Sequence, residues 1–333
     1  MCLTRFMVKV SVVIGLITYL FLGVIASAEP VVIRFAHSAS PESPKGQMAL
    51  KFQQLVKEAL GNESVVVEVY PRGMLFDDKQ ILPAVIKNRA QIVVTPISSL
   101  QEFSDRFKLF DLPFLFVSER AASRFLKGEF GDRLLRLIGR QGVVGLGYLN
   151  DGMKQLSSVQ KILVPDDAKN IKFLTSGSDV ADTLFRQVGA RPVVGNLNKT
   201  VTFLQNKVVD GQDSTWSNIR TRGIHEYQPF ILESNHVYLA DVILASREGW
   251  SSIPNDMLSV VKTQLDKAIE YGNALAERQA TSEKNFIMES GNTEVIAMTV
   301  DQREQWVAAM EGVWKKFENE VGADLINAAA SAR

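Results

Sequence analysis

From residue 31 onward, short runs rich in valine and isoleucine alternate with stretches whose apolar residues recur every three to four positions. That alternation points to an α/β sheet with helices on both faces, since each run buries two faces and each amphipathic stretch buries one. Residues 31–36 read as a buried first strand. Ser43 caps the following helix with Pro44 at its first position; Met48, Phe52, Leu55, Val56 and Ala59 share one face, and Gly61 ends it. A second strand is expected over 64–70, a helix starting at Asp77 or Asp78, and a third strand over 91–95. Helices near 118–127 and 130–140 precede a strand at 143–149. A second series follows Asp151-Gly152: strand 171–175, helix 178–188, a helix capped by Asn198 and running through Lys207, and strand 237–245.

From Pro254 a helical stripe of Met257, Val261, Leu265, Ala268, Gly272, Leu275 and Ala276 exceeds one small domain and is expected to span two. The last helix turns Trp306, Met310, Val313, Trp314 and Phe317 inward. At about 150 residues per domain, the length agrees with two lobes. Without a Pro/Gly-rich linker, the chain is expected to cross between them more than once, leaving a cleft. The expected division is 29–151 plus 240–279 for the first lobe and 152–239 plus 280–333 for the second.

The first 28 residues read as a secretory leader. Arg5 and Lys9 form a positive start, Val10 to Ile25 an apolar core, and Ala26-Ser27-Ala28 a small-residue cleavage site before Glu29. The small-residue pattern favours cleavage over a retained anchor. The only cysteine, Cys2, leaves with the leader, so the mature chain has no thiol for nucleophilic, metal or disulfide chemistry. A cysteine-free exported protein suits an oxidising periplasm. Arg5 and Lys9 are the leader's only charges, so the mature chain carries 35 basic and 37 acidic side chains. That balance gives no electrostatic drive toward nucleic acid or an anionic membrane.

Four blocks carry a resemblance. Tyr70-Pro71-Arg72-Gly73-Met74-Leu75-Phe76-Asp77-Asp78, Phe110-Asp111-Leu112-Pro113-Phe114-Leu115-Phe116, Val188-Gly189-Ala190-Arg191-Pro192 and the stretch from Leu204 to Asp213 occur in that order. They resemble the YP…QLGDD, DLPFLF, GAxP and LQxGxVDGxE segments of the periplasmic solute-binding proteins of TRAP transporters, the DctP type. The resemblance spans almost the whole mature chain. It implies a type II periplasmic binding-protein fold, two α/β lobes closing on a small organic solute, and delivery to one small and one large membrane subunit. It implies no cofactor, metal or catalysis. The family's usual ligand is a carboxylate gripped by an arginine, whose planar fork suits bidentate contact.

This chain departs from that pattern. Where the family reads GLKIR, residues 170–174 end in Leu174, which cannot donate a hydrogen bond. Lys154 stands at the basic position of the NGxR motif and keeps the charge without the fork. Lys199 takes the place of a glutamate and Ser214 that of an asparagine. Lys199 reads as a solvated helix residue. Asp213 and His236 are open between a mutual buried contact and facing the ligand. Trp216 is open between core packing and stacking on a ring or quaternary amine. Ser38 after the first strand and the Pro96-Ile97-Ser98 turn after the third are first-lobe cleft positions, where α/β sheets place ligands. His37 reads as structural, and Pro113-Phe114 as packing between the lobes. Two ligand readings stand: a carboxylate held by Lys154, or a less acidic, more apolar solute against a wall of Leu174 and Leu197.

Enzymatic motifs are scarce: there is no His-Glu-x-x-His, Gly-x-Ser-x-Gly or Walker loop, and Gly142-x-x-Gly145-x-Gly147 has the wrong order for a dinucleotide loop. The resulting expectation is a transport receptor that binds without turnover. The alternative is a sensory binding protein that presents its loaded form to a membrane receptor.

Overall fold

The computed structural model describes residues 29–332, so the leader and its cleavage site lie outside the described residues. Ten strands follow in chain order: β1 Val31–His37, β2 Val65–Tyr70, β3 Ile92–Pro96, β4 Val143–Ser158, β5 Lys172–Thr175, β6 Arg191–Val194, β7 Gly211–Thr215, β8 Phe230–Glu233, β9 Tyr238–Ser246 and β10 Glu294–Ala297. Their order is β2-β1-β3-β9-β4-β7-β5-β6, with β8 pairing β4 and β10.

β4 joins the two lobes. Val143 to Met153 pairs antiparallel with β9 in the first-lobe sheet, and Lys154 to Ser158 pairs with β7 in the second. The strand expected at 143–149 is therefore twice as long as its apolar pattern. Gly145, Gly147 and Gly152 accompany the register breaks that let it twist from one sheet into the other. The helix Asn255–Glu289 spans both lobes, packing on the helix Pro44–Leu60 at one end and on Trp216–Thr221 at the other.

Strand faces alternate between two cores in each lobe, as period-two geometry requires. Ile92, Val94, Ile243 and Ala245 face one first-lobe core, while Val93, Val242 and Leu244 face the other. In the second lobe Phe173 and Leu232 face one side, and Leu174 and Ile231 the opposite side.

Three local expectations are corrected. The helix after β2 begins at Ile81, because the Asp77 carboxylate accepts from the Lys79 and Gln80 amides and holds the preceding segment as a turn. Asn196, not Asn198, caps the 3-10 turn Leu197–Lys199 that leads into the short helix Thr200–Gln205. The C-terminal helix Ala323–Ser331 packs Leu325, Ile326 and Ala329 into a first-lobe core, although 280–333 is expected in the second lobe. The amphipathic face there shows that the helix is buried, but not against which lobe.

Ser43 caps its helix as expected, accepting from the Gly46 amide. A Cβ at Gly46 would sit 2.3 Å from the Ser40 carbonyl oxygen and 2.6 Å from the Pro41 backbone. Gly46→Ala gains up to about 1 kcal/mol of helix propensity. Forcing the 38–43 loop away costs about 1–3 kcal/mol, so a net loss is expected in urea unfolding. A neutral or stabilised variant would mean the loop yields without strain.

Candidate functional site

Ser38 at the end of β1, Pro96 ending β3, Thr175 ending β5 and Ser214 near the end of β7 converge between the lobes. They line a cavity of about 100 Å³. About 10–15 Å³ admits one water, so a small solute fits. The carboxyl ends of sheet strands are where backbone geometry leaves a crevice open to ligands.

The cavity is densely charged. Lys154, at the start of the second-lobe half of β4, lies 3.2 Å from Asp213 on β7, with only 16% and 12% of the two side chains exposed. Strand pairing dictates this meeting, because Lys154 faces Thr215 and Leu156 faces Asp213 across the β4–β7 ladder. Burial opposes Lys154's charge, but Asp213 and Asp111 more than offset it and raise its pKa, so it stays protonated. Burial alone would raise the Asp213 carboxyl; Lys154, and after it His236, hold it far below the usual carboxylate range. His236 is fully buried behind Asp213, its Nε2 3.3 Å from the carboxylate and its Nδ1 2.8 Å from the Ser234 hydroxyl.

On the first-lobe side, Lys45 pairs with the fully buried Asp241 at 2.8 Å. Desolvation pushes Asp241 up to about 6 despite that partner. Asp111, from the Phe-Asp-Leu-Pro block, accepts from the Ser178 hydroxyl of the second lobe at 2.5 Å and thereby links the lobes. Burial raises its pKa.

Of the residues singled out in the sequence, Ser38, Lys154, Leu197, Asp213 and Ser214 line this cavity. Leu174, Ile97, Trp216 and His236 are not among its lining residues. Leu174 is 1% exposed and packs with Leu204, Ile219 and Trp216, with Leu197 partly buried against the same cluster, so the wall expected of the two leucines is presented by Leu197. Ile97 is buried in a first-lobe core, because the turn after β3 directs its side chain inward and leaves Ser98 and Ser99 at the cavity. Trp216 packs in the second-lobe core, with the Lys284 ammonium 5.9 Å from its ring centre. Phe114 packs into the second-lobe core and its amide donates to the His236 carbonyl. Lys199 is exposed.

Five charged groups at the cavity went unrecognised in the sequence: Lys45, Asp78, Asp111, Asp151 and Arg222. Asp78 and Asp151 sit in stretches already quoted for other reasons, and Arg222 follows the helix Trp216–Thr221 without any motif. Asp151 lies within β4 at the register break between Asn150 and Gly152, and the neighbouring glycine is the one local signal for it.

A family model described as bacterial extracellular solute-binding protein, family 7 (DctP), matches residues 35–320. The C4-dicarboxylate-binding periplasmic protein DctP of Shewanella loihica is 42% identical over 305 residues, covering 92% of this chain and 90% of that protein. The protein of the same name from Vibrio cholerae is 36% identical over 310 residues, covering 92% and 93%. A TRAP periplasmic solute binding protein from Shewanella oneidensis, solved with bound succinate, superposes with a TM-score of 0.89 at 40% identity, covering 91% of this chain and 99% of the other. One from Pseudomonas aeruginosa with bound L-malate gives 0.83 at 34% identity, covering 86% and 100%.

Proposed function

The chain belongs to bacterial extracellular solute-binding protein family 7, and from that premise we propose that it is the periplasmic receptor of a TRAP transporter. Exported by its leader, it closes on one small carboxylate-bearing solute and delivers it unchanged to a small and a large membrane subunit. The relatives' names and bound compounds, C4-dicarboxylates, succinate and malate, support a carboxylate. Among the described residues no helix is long and apolar enough to cross a membrane, which accords with a receptor that reaches the bilayer only through partners.

The observation that carries this reading is the small cavity at the strand ends of both lobes, with the protonated Lys154 at its wall. Lys154, already dehydrated and held in place by Asp213, adds positive potential at that wall, which favours a carboxylate in the cavity at little further ordering cost.

Thermal unfolding in the presence of carboxylates tests the proposal. A ligand at one hundred times its Kd stabilises by about 2.7 kcal/mol, which corresponds to a rise in Tm of several degrees for a chain of this size. A bound compound should be recovered chemically unchanged. Stabilisation only by solutes lacking a carboxylate, or turnover of the bound compound, overturns the reading.

A further inference from the structure

We propose that the solute carries a cationic nitrogen as well as its carboxylate, the carboxylate directed to Arg222 and the nitrogen to Asp78 and Asp151. This rests on the solute-receptor reading above and narrows its substrate class to zwitterions.

The argument starts from which cavity charges are already matched. Three cations line it, Lys45, Lys154 and Arg222, against four carboxylates, Asp78, Asp111, Asp151 and Asp213. Lys154 is held by Asp213 at 3.2 Å, and Lys45 by Asp241, behind the wall, at 2.8 Å. Asp111 is engaged by the Ser178 hydroxyl.

Arg222 is not matched in this way. Its guanidinium donates to the Leu197 carbonyl at 3.2 Å, a neutral acceptor, and no carboxylate among the described residues lies within ion-pair distance of it. Most of its planar donor fork is therefore free for a ligand carboxylate. Asp151 accepts only from neutral donors, the Asn218 amide at 3.1 Å and the Thr215 hydroxyl at 3.4 Å. Asp78 has no side-chain partner among the described residues. Both carboxylates act electrostatically on the Arg222 guanidinium, so all three share one field.

One cation without an ion pair therefore meets two carboxylates that no cation among the described residues pairs directly, although both also lie in the field of Lys45, and Asp151 in that of Lys154. A dicarboxylate would satisfy Arg222 with one end and bring its second negative charge toward Asp78 and Asp151, a like-charge contact in a poorly hydrated space. A solute with a carboxylate at one end and a protonated or quaternary nitrogen at the other satisfies both ends. The arrangement also ties ligand to closure, because Arg222 belongs to the second lobe, Asp78 to the first, and Asp151 to the strand between them.

Isothermal titration of the full mature chain at low ionic strength tests this with matched pairs: the standard amino acids and glycine betaine, each against the carboxylate lacking its nitrogen, such as L-aspartate against succinate. At least one zwitterion is expected to bind ten-fold or more tightly than its counterpart. Asp151→Asn should shrink that ratio by about ten-fold, through a larger loss for the zwitterion than for its counterpart. Asp78→Asn serves the same purpose should Asp151→Asn lose cooperative unfolding. Arg222→Gln should weaken both members of the pair.

Counterparts that bind as well as the zwitterions, or a ratio unmoved by both aspartate variants, overturn this inference and leave the carboxylate receptor intact. Binding of choline but of no carboxylate, or silence across both sets from a cooperatively folded protein, overturns the inference and the carboxylate reading together.

Discussion

Lys154→Met is expected to lower stability by about 3–5 kcal/mol at pH 7, the scale on which removing one member of a buried ion pair leaves its partner uncompensated. Asp213, 12% exposed, would keep only His236 beside it. The pH dependence identifies the cause. In the native chain Asp213's folded pKa lies below its unfolded value, so the pair's contribution is present above the ordinary carboxylate pKa of about 3.9 and is lost as pH falls through the folded value. Without Lys154, burial dominates and the Asp213 pKa rises, so protonation relieves the variant at a pH where the native carboxylate is still charged. The deficit should therefore be largest near neutrality and should narrow as pH falls toward 4. Urea unfolding at pH 7 and near pH 4.5 measures it. An equal deficit at both values would assign the loss to packing of the lysine stem.

Trp306→Ala is expected to cost about 3–5 kcal/mol, the range for truncating a large buried aromatic. The indole is 1% exposed in the second-lobe core shared with Phe173, Phe185, Leu156 and Met310, and its Nε1 donates to the Leu163 carbonyl at 3.0 Å. The variant leaves both a cavity and a carbonyl without its donor. Trp306→Phe retains most of the volume and loses the hydrogen bond, so it should cost less than the alanine change, by about 2 kcal/mol or more. Denaturant midpoints of the two variants separate the contributions. A loss below 1 kcal/mol for alanine would show that the helix Val300–Val321 is held elsewhere. Trp306 is distant in sequence and role from the charged cavity, so its effect on ligand affinity should follow the second lobe's stability and not the ligand's charge.

Much of the molecule was legible because local chemistry decided it. The continuous apolar runs at β3 and β9 mark strands buried on both faces, and Ser43-Pro44 and Gly61 punctuate a helix through backbone preferences that need no tertiary partner. The motif blocks in order pointed to the family, and Lys154, Asp213, Ser214, Leu197 and Ser38 do line the cavity. What the sequence could not determine by itself was which way a side chain points at the end of a strand or turn, and what it finds there. Leu174 stands at the family's arginine position, yet its neighbours Leu204, Ile219 and Trp216 come from separate segments and enclose it in a core. Arg222 has no motif around it and enters the cavity because the helix Trp216–Thr221 ends beside the strand ends. Lys45 and Asp241 are 196 residues apart, and only the packing of the first lobe joins them. Periodicity and capping depend on neighbours a few residues away, so one chain suffices to read them. A site's charge balance depends on groups brought together across the whole fold, and here only the tertiary structure decided it.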